Sequence, residues 1–139
     1  MFVVRIPLFI ALVVGTSFIA KAVDYILPTG VTVLTEEQLL TIIIGNTTTG
    51  KNSVAGKWAE YYEPSRDEGK NGEIRGKARR AYYGQWKING SLMCLDFDGI
   101  NSDACYTIAF DGSMVTYYNT NGKPEGSPSM LILGNPNGF

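Results

Sequence analysis

The chain has 139 residues, 45% hydrophobic and 18% charged, with 12 basic and 13 acidic side chains and a formal net charge of −1. Such a composition suits one globular domain with a real core and excludes a disordered or fibrous chain, and the charge balance does not favour a nucleic-acid partner. With no His and only 2 Cys, the commonest general base and metal ligand is missing, so catalysis would have to rest on carboxylates, Tyr or Lys.

The amino end differs in kind from the rest. Met1 to Arg5 is a short positive start, Ile6 to Ala20 is apolar or small apart from Thr16 and Ser17, and Ala20-Lys21-Ala22 has the pattern of a cleavage site. Residues 1–22 therefore read as a secretory signal peptide and residues 23–139 as a single β-rich domain, periplasmic or secreted. The apolar run is too short for a spanning helix, so no stable membrane anchor is expected after cleavage. Loss of Arg5 and Lys21 leaves ten basic against thirteen acidic residues, a net charge of −3.

Val23 to Val33 is an irregular lead-in with Pro28 and Gly30. Thr35 is a good N-cap with Gln38 three residues on, Leu39, Leu40, Ile42 and Ile43 supply an apolar stripe, and Gly45 stops a short helix. Three consecutive isoleucines leave a strand open as an alternative there. The sheet begins near Asn46 to Thr49. In Gly56 to Glu63, Trp58, Glu60 and Tyr62 alternate against Lys57, Ala59 and Tyr61, and Pro64 to Gly72 is a polar loop. Glu73 to Arg80 alternates Ile74, Gly76 and Ala78 against Arg75, Lys77 and Arg79, a strand with a basic outer edge.

Tyr82 to Tyr118 spells out a four-stranded meander. Taking Asn89-Gly90 as a type I′ turn sets Trp86 opposite Met93, and taking Asp111-Gly112 likewise sets Ile108 opposite Val115. A loop centred on Gly99-Ile100 sets Cys94 opposite Cys105, within reach of a structural disulfide. All three turns agree on one inward face: Tyr82, Trp86, Ile88, Met93, Leu95, Phe97, Ala104, Tyr106, Ile108, Phe110, Val115 and Tyr117. The cysteines take the other face. An Asn121-Gly122 turn, a Pro/Gly/Ser linker and Ser129 to Leu133 complete the chain before a loop-like tail. The expected fold is mainly β, an antiparallel small barrel or strongly curled sheet of seven or eight strands with one short N-terminal helix.

Few motifs carry chemistry. Gly45 to Lys51 has the spacing of a phosphate-binding loop, but Asn52 stands where Ser or Thr would hold magnesium, and a helix stop followed by a Thr-rich strand explains the same residues. Asp96, Asp98, Asn101 and Asp103 crowd one turn without the Gly and the terminal Glu of a calcium loop, so a solvated hairpin tip is favoured and no metal or other cofactor is expected. Glu60, Glu63 and Glu73 offer carboxylates with nothing in the sequence to fix their separation. Asn46-Thr47-Thr48 and Asn89-Gly90-Ser91 are glycosylation sequons.

The block from Leu39 to Thr47, Trp58-Ala59-Glu60-Tyr61-Tyr62, Gly84-x-Trp86, the Cys94 and Cys105-Tyr106 pair and Leu133-Gly134-Asn135-Pro136 together resemble small exported bacterial domains of unknown function. That resemblance implies a periplasmic β-rich domain and no activity. More distantly, a strand Trp and one disulfide in a small exported barrel are similar to periplasmic lipocalin-like inhibitors of proteases or lysozyme.

A binding module is favoured over an enzyme, because the chain offers many aromatics and no catalytic group with a visible partner. Twelve inward residues point to a solid core, so the expectation is a surface-mediated, inhibitor-like protein interaction. Its contacts would be Tyr61, Tyr83 and Tyr118 with the basic edge Arg75, Lys77, Arg79 and Arg80, since exposed Tyr and Arg most often anchor interfaces. A lipocalin-like carrier of a small apolar ligand is the alternative, and a carboxylate-based hydrolase ranks below it.

Overall fold

The structure, a computed structural model, describes residues 24–99 and 104–139. The signal-peptide region, together with Asn101 and Asp103 of the acidic turn, lies outside the described residues.

Eight antiparallel strands close into a barrel in chain order: β1 (Thr47–Asn52), β2 (Gly56–Tyr62), β3 (Asn71–Lys77), β4 (Ala81–Asn89), β5 (Leu92–Phe97), β6 (Ala104–Phe110), β7 (Met114–Tyr118) and β8 (Ser129–Ile132). Closure is made by β8, which pairs with β7 on one side and with β1 on the other. A closed ring has no edge, so β3 is not the edge strand that its basic residues suggested; it is paired along its length with β4 and from Ile74 to Lys77 with β2. Its charges, with Gln85 and Lys87 of β4, coat the outside, while Ile74, Trp86 and Ile88 are buried inside. This is the reverse of a membrane barrel, whose apolar band faces outward. Among the described residues, no helix is long and apolar enough to cross a membrane.

The inward face of the meander is the expected one, but two hairpin registers differ by two residues. Trp86 pairs with Leu95 and Ile88 with Met93, and on the next hairpin Ile108 pairs with Tyr117 and Phe110 with Val115. The loop residues are Gly90-Ser91 and Gly112-Ser113, and positive φ falls on the glycine alone in each, at 59° and 105°. Glycine at the first central position is what a type II′ turn requires, so Asn89 is left as the last paired residue of β4, and Asp111, just past β6, donates its N–H to the Met114 carbonyl at 3.2 Å. Asp111 then turns its carboxylate onto the Ser113 and Met114 N–H groups at 3.0 and 2.7 Å. A shift of two preserves the side-chain face, so the inward set survives. The Cys94–Cys105 pair is in the expected register and forms a disulfide on the outer face, with Cα atoms 3.9 Å apart.

One end of the barrel is plugged. Thr35 Oγ1 accepts the Gln38 N–H at 3.3 Å and Gln38 Oε1 accepts the Thr35 N–H at 2.9 Å, the expected capping box. The helical turn α1 (Glu36–Gln38) widens into a π turn over Leu39–Ile43, closed by the Ile44 N–H on the Leu39 carbonyl at 3.3 Å. Leu34, Leu39 and Ile43 sit in one cluster with Trp86, Ile88, Met93, Ile108 and Val115. Gly45, at φ 82°, turns the chain into β1. Asn46 next to it ties three elements together: its Nδ2 donates to the Ile42 carbonyl at 2.8 Å, and its Oδ1 accepts the Gly134 N–H at 2.8 Å. Thr47 Oγ1 donates to the Gly134 carbonyl at 2.7 Å. The Gly-Asn-Thr block that resembles a phosphate loop is therefore a clasp between the plug and the tail after β8. The Asn46 side chain, a sequon position, is held in it through both its amide nitrogen and its oxygen.

Candidate functional site

The expected contact residues divide between two walls. Tyr61, Arg75 and Tyr83 form a row on the outer face of β2, β3 and β4, each opposite the next. Lys77 lies one pair further along, and Arg79 and Arg80 are exposed in the turn after β3. Arg75 is engaged by Glu63 at 2.8 Å and Glu73 at 3.7 Å, so it is not a free anchor. Tyr118 does not join them: β7 stands four strands from β3 in a ring of eight, on the opposite wall. The disulfide is also an outer feature.

The inward aromatics do not make a solid core throughout. The half near the plug is filled, but the other half holds an open-mouthed cavity of about 620 Å³. Two features of the sequence leave that space. Gly50 and Gly76 face inward near the mouth, and directly opposite them on the neighbouring strands stand Trp58 and Tyr82. The rings fold over the glycines so closely that an added Cβ at either position would overlap them. The aromatic rings thus line the wall instead of crossing the lumen. Phe97, Tyr106 and Tyr117 complete an aromatic collar, with Ser127 to Ser129 at the rim. Tyr82 meets Phe97, and Tyr106 meets Tyr117, edge to face with centroids 5.7 Å apart.

Glu60 lies at the inner end of this cavity. Its Oε1 accepts a hydrogen bond from the Tyr82 hydroxyl at 2.8 Å and its Oε2 one from the Tyr62 hydroxyl at 2.9 Å. Because Tyr62 has a single hydroxyl proton and donates it to Glu60, the 3.0 Å contact between Tyr62 and Tyr117 must be a donation by Tyr117. Thr48 Oγ1 stands 3.5 Å from the same Tyr62 oxygen. The phenols therefore form a chain, Tyr117 to Tyr62 to Glu60, met from the other side by Tyr82, with every proton directed toward the carboxylate. Tyr62 is fully buried, whereas Glu60 keeps some contact with the water of the cavity.

Desolvation pushes the Glu60 carboxyl above the usual carboxylate range, and the Tyr82 and Tyr62 hydrogen bonds partly offset the rise. Burial raises Tyr62, Tyr82 and Tyr117 well above the ordinary phenol value, and the negative charge of Glu60 adds to the effect in each. At neutral pH the phenols are thus fixed as donors. None of the ion pairs among the described residues includes Glu60; Lys51, the basic side chain in the cavity lining, is exposed at the rim. Among the described residues no cluster of His, Cys, Asp or Glu could hold a metal ion. A second, shallower hollow of about 330 Å³ lies outside the barrel beside Glu63, Arg66 and Glu73.

Sequence reasoning missed this site. The signal that points to it is the alternation Trp58, Glu60, Tyr62, which puts a carboxylate on the same face as a Trp and a Tyr. Two of its aromatics, Tyr82 and Tyr117, belong to the expected inward set, but their places are tertiary: Tyr82 reaches Glu60 along the wall over Gly76, which is paired with both, and Tyr117 reaches Tyr62 from β7.

No protein-family profile, no curated protein and no solved structure gives a significant match to this chain. The functional reading therefore rests on the geometry of the barrel.

Proposed function

We propose that the mature chain is an exported, non-catalytic binding protein that takes a small amphipathic molecule into the mouth of its barrel, in the manner of lipocalin-like carriers. The observation that carries this reading is the cavity itself: about 620 Å³, walled by aromatic rings and ending on one carboxylate that two phenols hold in place. Sites for small molecules are concave and mostly apolar with a few fixed polar groups, and usual volumes run from about 300 to 1,000 Å³. The disulfide supports an oxidising compartment. A hydrolytic role has less support, because Glu60 has no second carboxylate at hydrogen-bonding distance and its oxygens are occupied by tyrosines.

Fluorescence of the neutral dye N-phenyl-1-naphthylamine tests the reading. The oxidised protein should enhance and blue-shift its emission, and Ala78→Trp, which fills the cavity from its rim, should abolish the effect while circular dichroism stays unchanged. Enhancement that survives Ala78→Trp, or none with the parent protein, would sink a mouth-bound ligand.

Docking of a protein partner on the outer wall is the second reading. It is supported by Tyr83, which is 56% exposed beside Lys77, Arg79 and Arg80, cations that make no ion pair among the described residues, and it excludes Tyr118, which stands on the opposite wall.

A further inference from the structure

We infer that the molecule held in the barrel mouth carries a positively charged nitrogen, and that Glu60 is its counter-ion inside the aromatic collar. The inference rests on the binding reading above and names the chemical class of the ligand.

Three observations carry it. The first is the donor set: the Tyr62 and Tyr82 hydroxyls lie 2.9 and 2.8 Å from the two Glu60 oxygens, so each oxygen of a charged carboxylate is met by a fixed donor. The second is the missing partner. Among the described residues no basic side chain pairs with Glu60, although the outer carboxylates Glu63, Glu73 and Glu36 each have one. Other charged or titratable groups facing the cavity are Glu125 and Tyr106 on the β7–β8 connection and β6, and Lys51 at the rim, so the lumen is net acidic. The third is the collar, since the faces of Trp and Tyr rings attract ammonium groups and prefer them to neutral heads.

The response of Glu60 to an occupied cavity separates the ligand classes. Any occupant expels cavity water and strips Glu60 of its remaining hydration. A carboxylate desolvated without a cation is strongly disfavoured in a protein interior, unless it takes up a proton. An ammonium head offsets that cost by supplying the opposite charge and an N–H donor for the free lone pairs of Glu60. A neutral ligand has to be accompanied by proton uptake at Glu60.

Calorimetry with matched pairs tests this: tryptamine against tryptophol, and octylamine against octanol, at pH 7.5 in two buffers of different ionisation enthalpy. Each ammonium is expected to bind about tenfold or more tightly than its alcohol, with no net proton uptake. Glu60→Gln should erase the difference, weakening the amines about tenfold or more while the alcohols bind at least as tightly as to the parent and without proton uptake. If neither ammonium exceeds its alcohol although N-phenyl-1-naphthylamine still occupies the cavity, the counter-ion assignment fails and the binding reading stands. If the dye does not occupy the cavity at all, the binding reading fails first. Alcohols that bind as tightly as the amines with uptake of one proton per molecule would also overturn the assignment, in favour of a neutral ligand.

Discussion

Glu60 is the residue at which the chain departs from an ordinary barrel core. A Leu in its place would fill the lumen; instead a carboxylate is kept in poorly solvated surroundings and steadied by Tyr62 and Tyr82. Stability then depends on pH in a way that a neutral substitute removes. The folded-state carboxyl of Glu60 is raised above its unfolded value of 4.5, so its contribution to stability is fully present below pH 4.5 and is lost as the pH rises through the folded-state value. Glu60→Gln has no such titration. Denaturant unfolding of both proteins from pH 4.5 to 8 should therefore show the variant gaining on the parent as the pH rises. Parallel curves would mean that the hydrogen bonds from the tyrosines cancel the desolvation. The same residue shows why the site is hard to find from sequence: its charge is visible there, but its neighbours come from β1, β4 and β7.

Among the elements, the two Gly-Ser hairpins and the disulfide show which local signals are decisive. Asn-Gly and Asp-Gly are the stronger turn signals, yet the chain loops through Gly-Ser, with Asn89 still in the ladder and Asp111 bonded across the turn to Met114. Period-two alternation cannot distinguish these registers, because both place Trp86, Ile88 and Phe110 on the inner face. Cys94 and Cys105 are legible to the residue, since a directly opposed pair has to meet. Their loop closes over a separation of 11 residues on the half-exposed outer wall, so Cys94→Ala with Cys105→Ala should cost about 2–3 kcal/mol. Trp86 is only 1% exposed, and its Nε1 donates to the Glu63 carbonyl at 2.9 Å. Trp86→Ala would open a cavity and orphan that carbonyl, at a cost of about 3–5 kcal/mol. Urea unfolding of the two variants checks the order; equal small losses would mean that Trp86 does not anchor the core.

For the whole molecule, the barrel is a container with a floor. The plug from Leu34 to Ile43 closes one end and the Asn46 clasp fastens it to the tail after β8, leaving the connections β1–β2 and β7–β8 around the open mouth. The exterior of β3 and β4 is charged and polar, as suits a protein in water. The signal-peptide reading predicts a mature chain beginning near Val23, and intact mass of the protein from its native host checks it. A mass that retains Met1 to Ala22 would remove the argument for export, leaving the disulfide as its remaining support.

The class of fold, the inward face of the meander, the helix cap at Thr35 and the pairing of the cysteines are all written in the order of the residues. Each depends on contacts between near neighbours or on a strict period of two, which short stretches carry in full. Closure of the sheet is not written there, because it depends on β8 reaching β1 across the whole chain. Packing in three dimensions also separates Tyr118 from Tyr83 and turns an expected solid core into a half-filled one. Whether inward aromatics fill a lumen depends on how far apart the walls stand and on where glycines let rings lie flat. At the mouth, Gly50 and Gly76 let Trp58 and Tyr82 lie against the wall, and the space so left is where Glu60 meets Tyr62 and Tyr82.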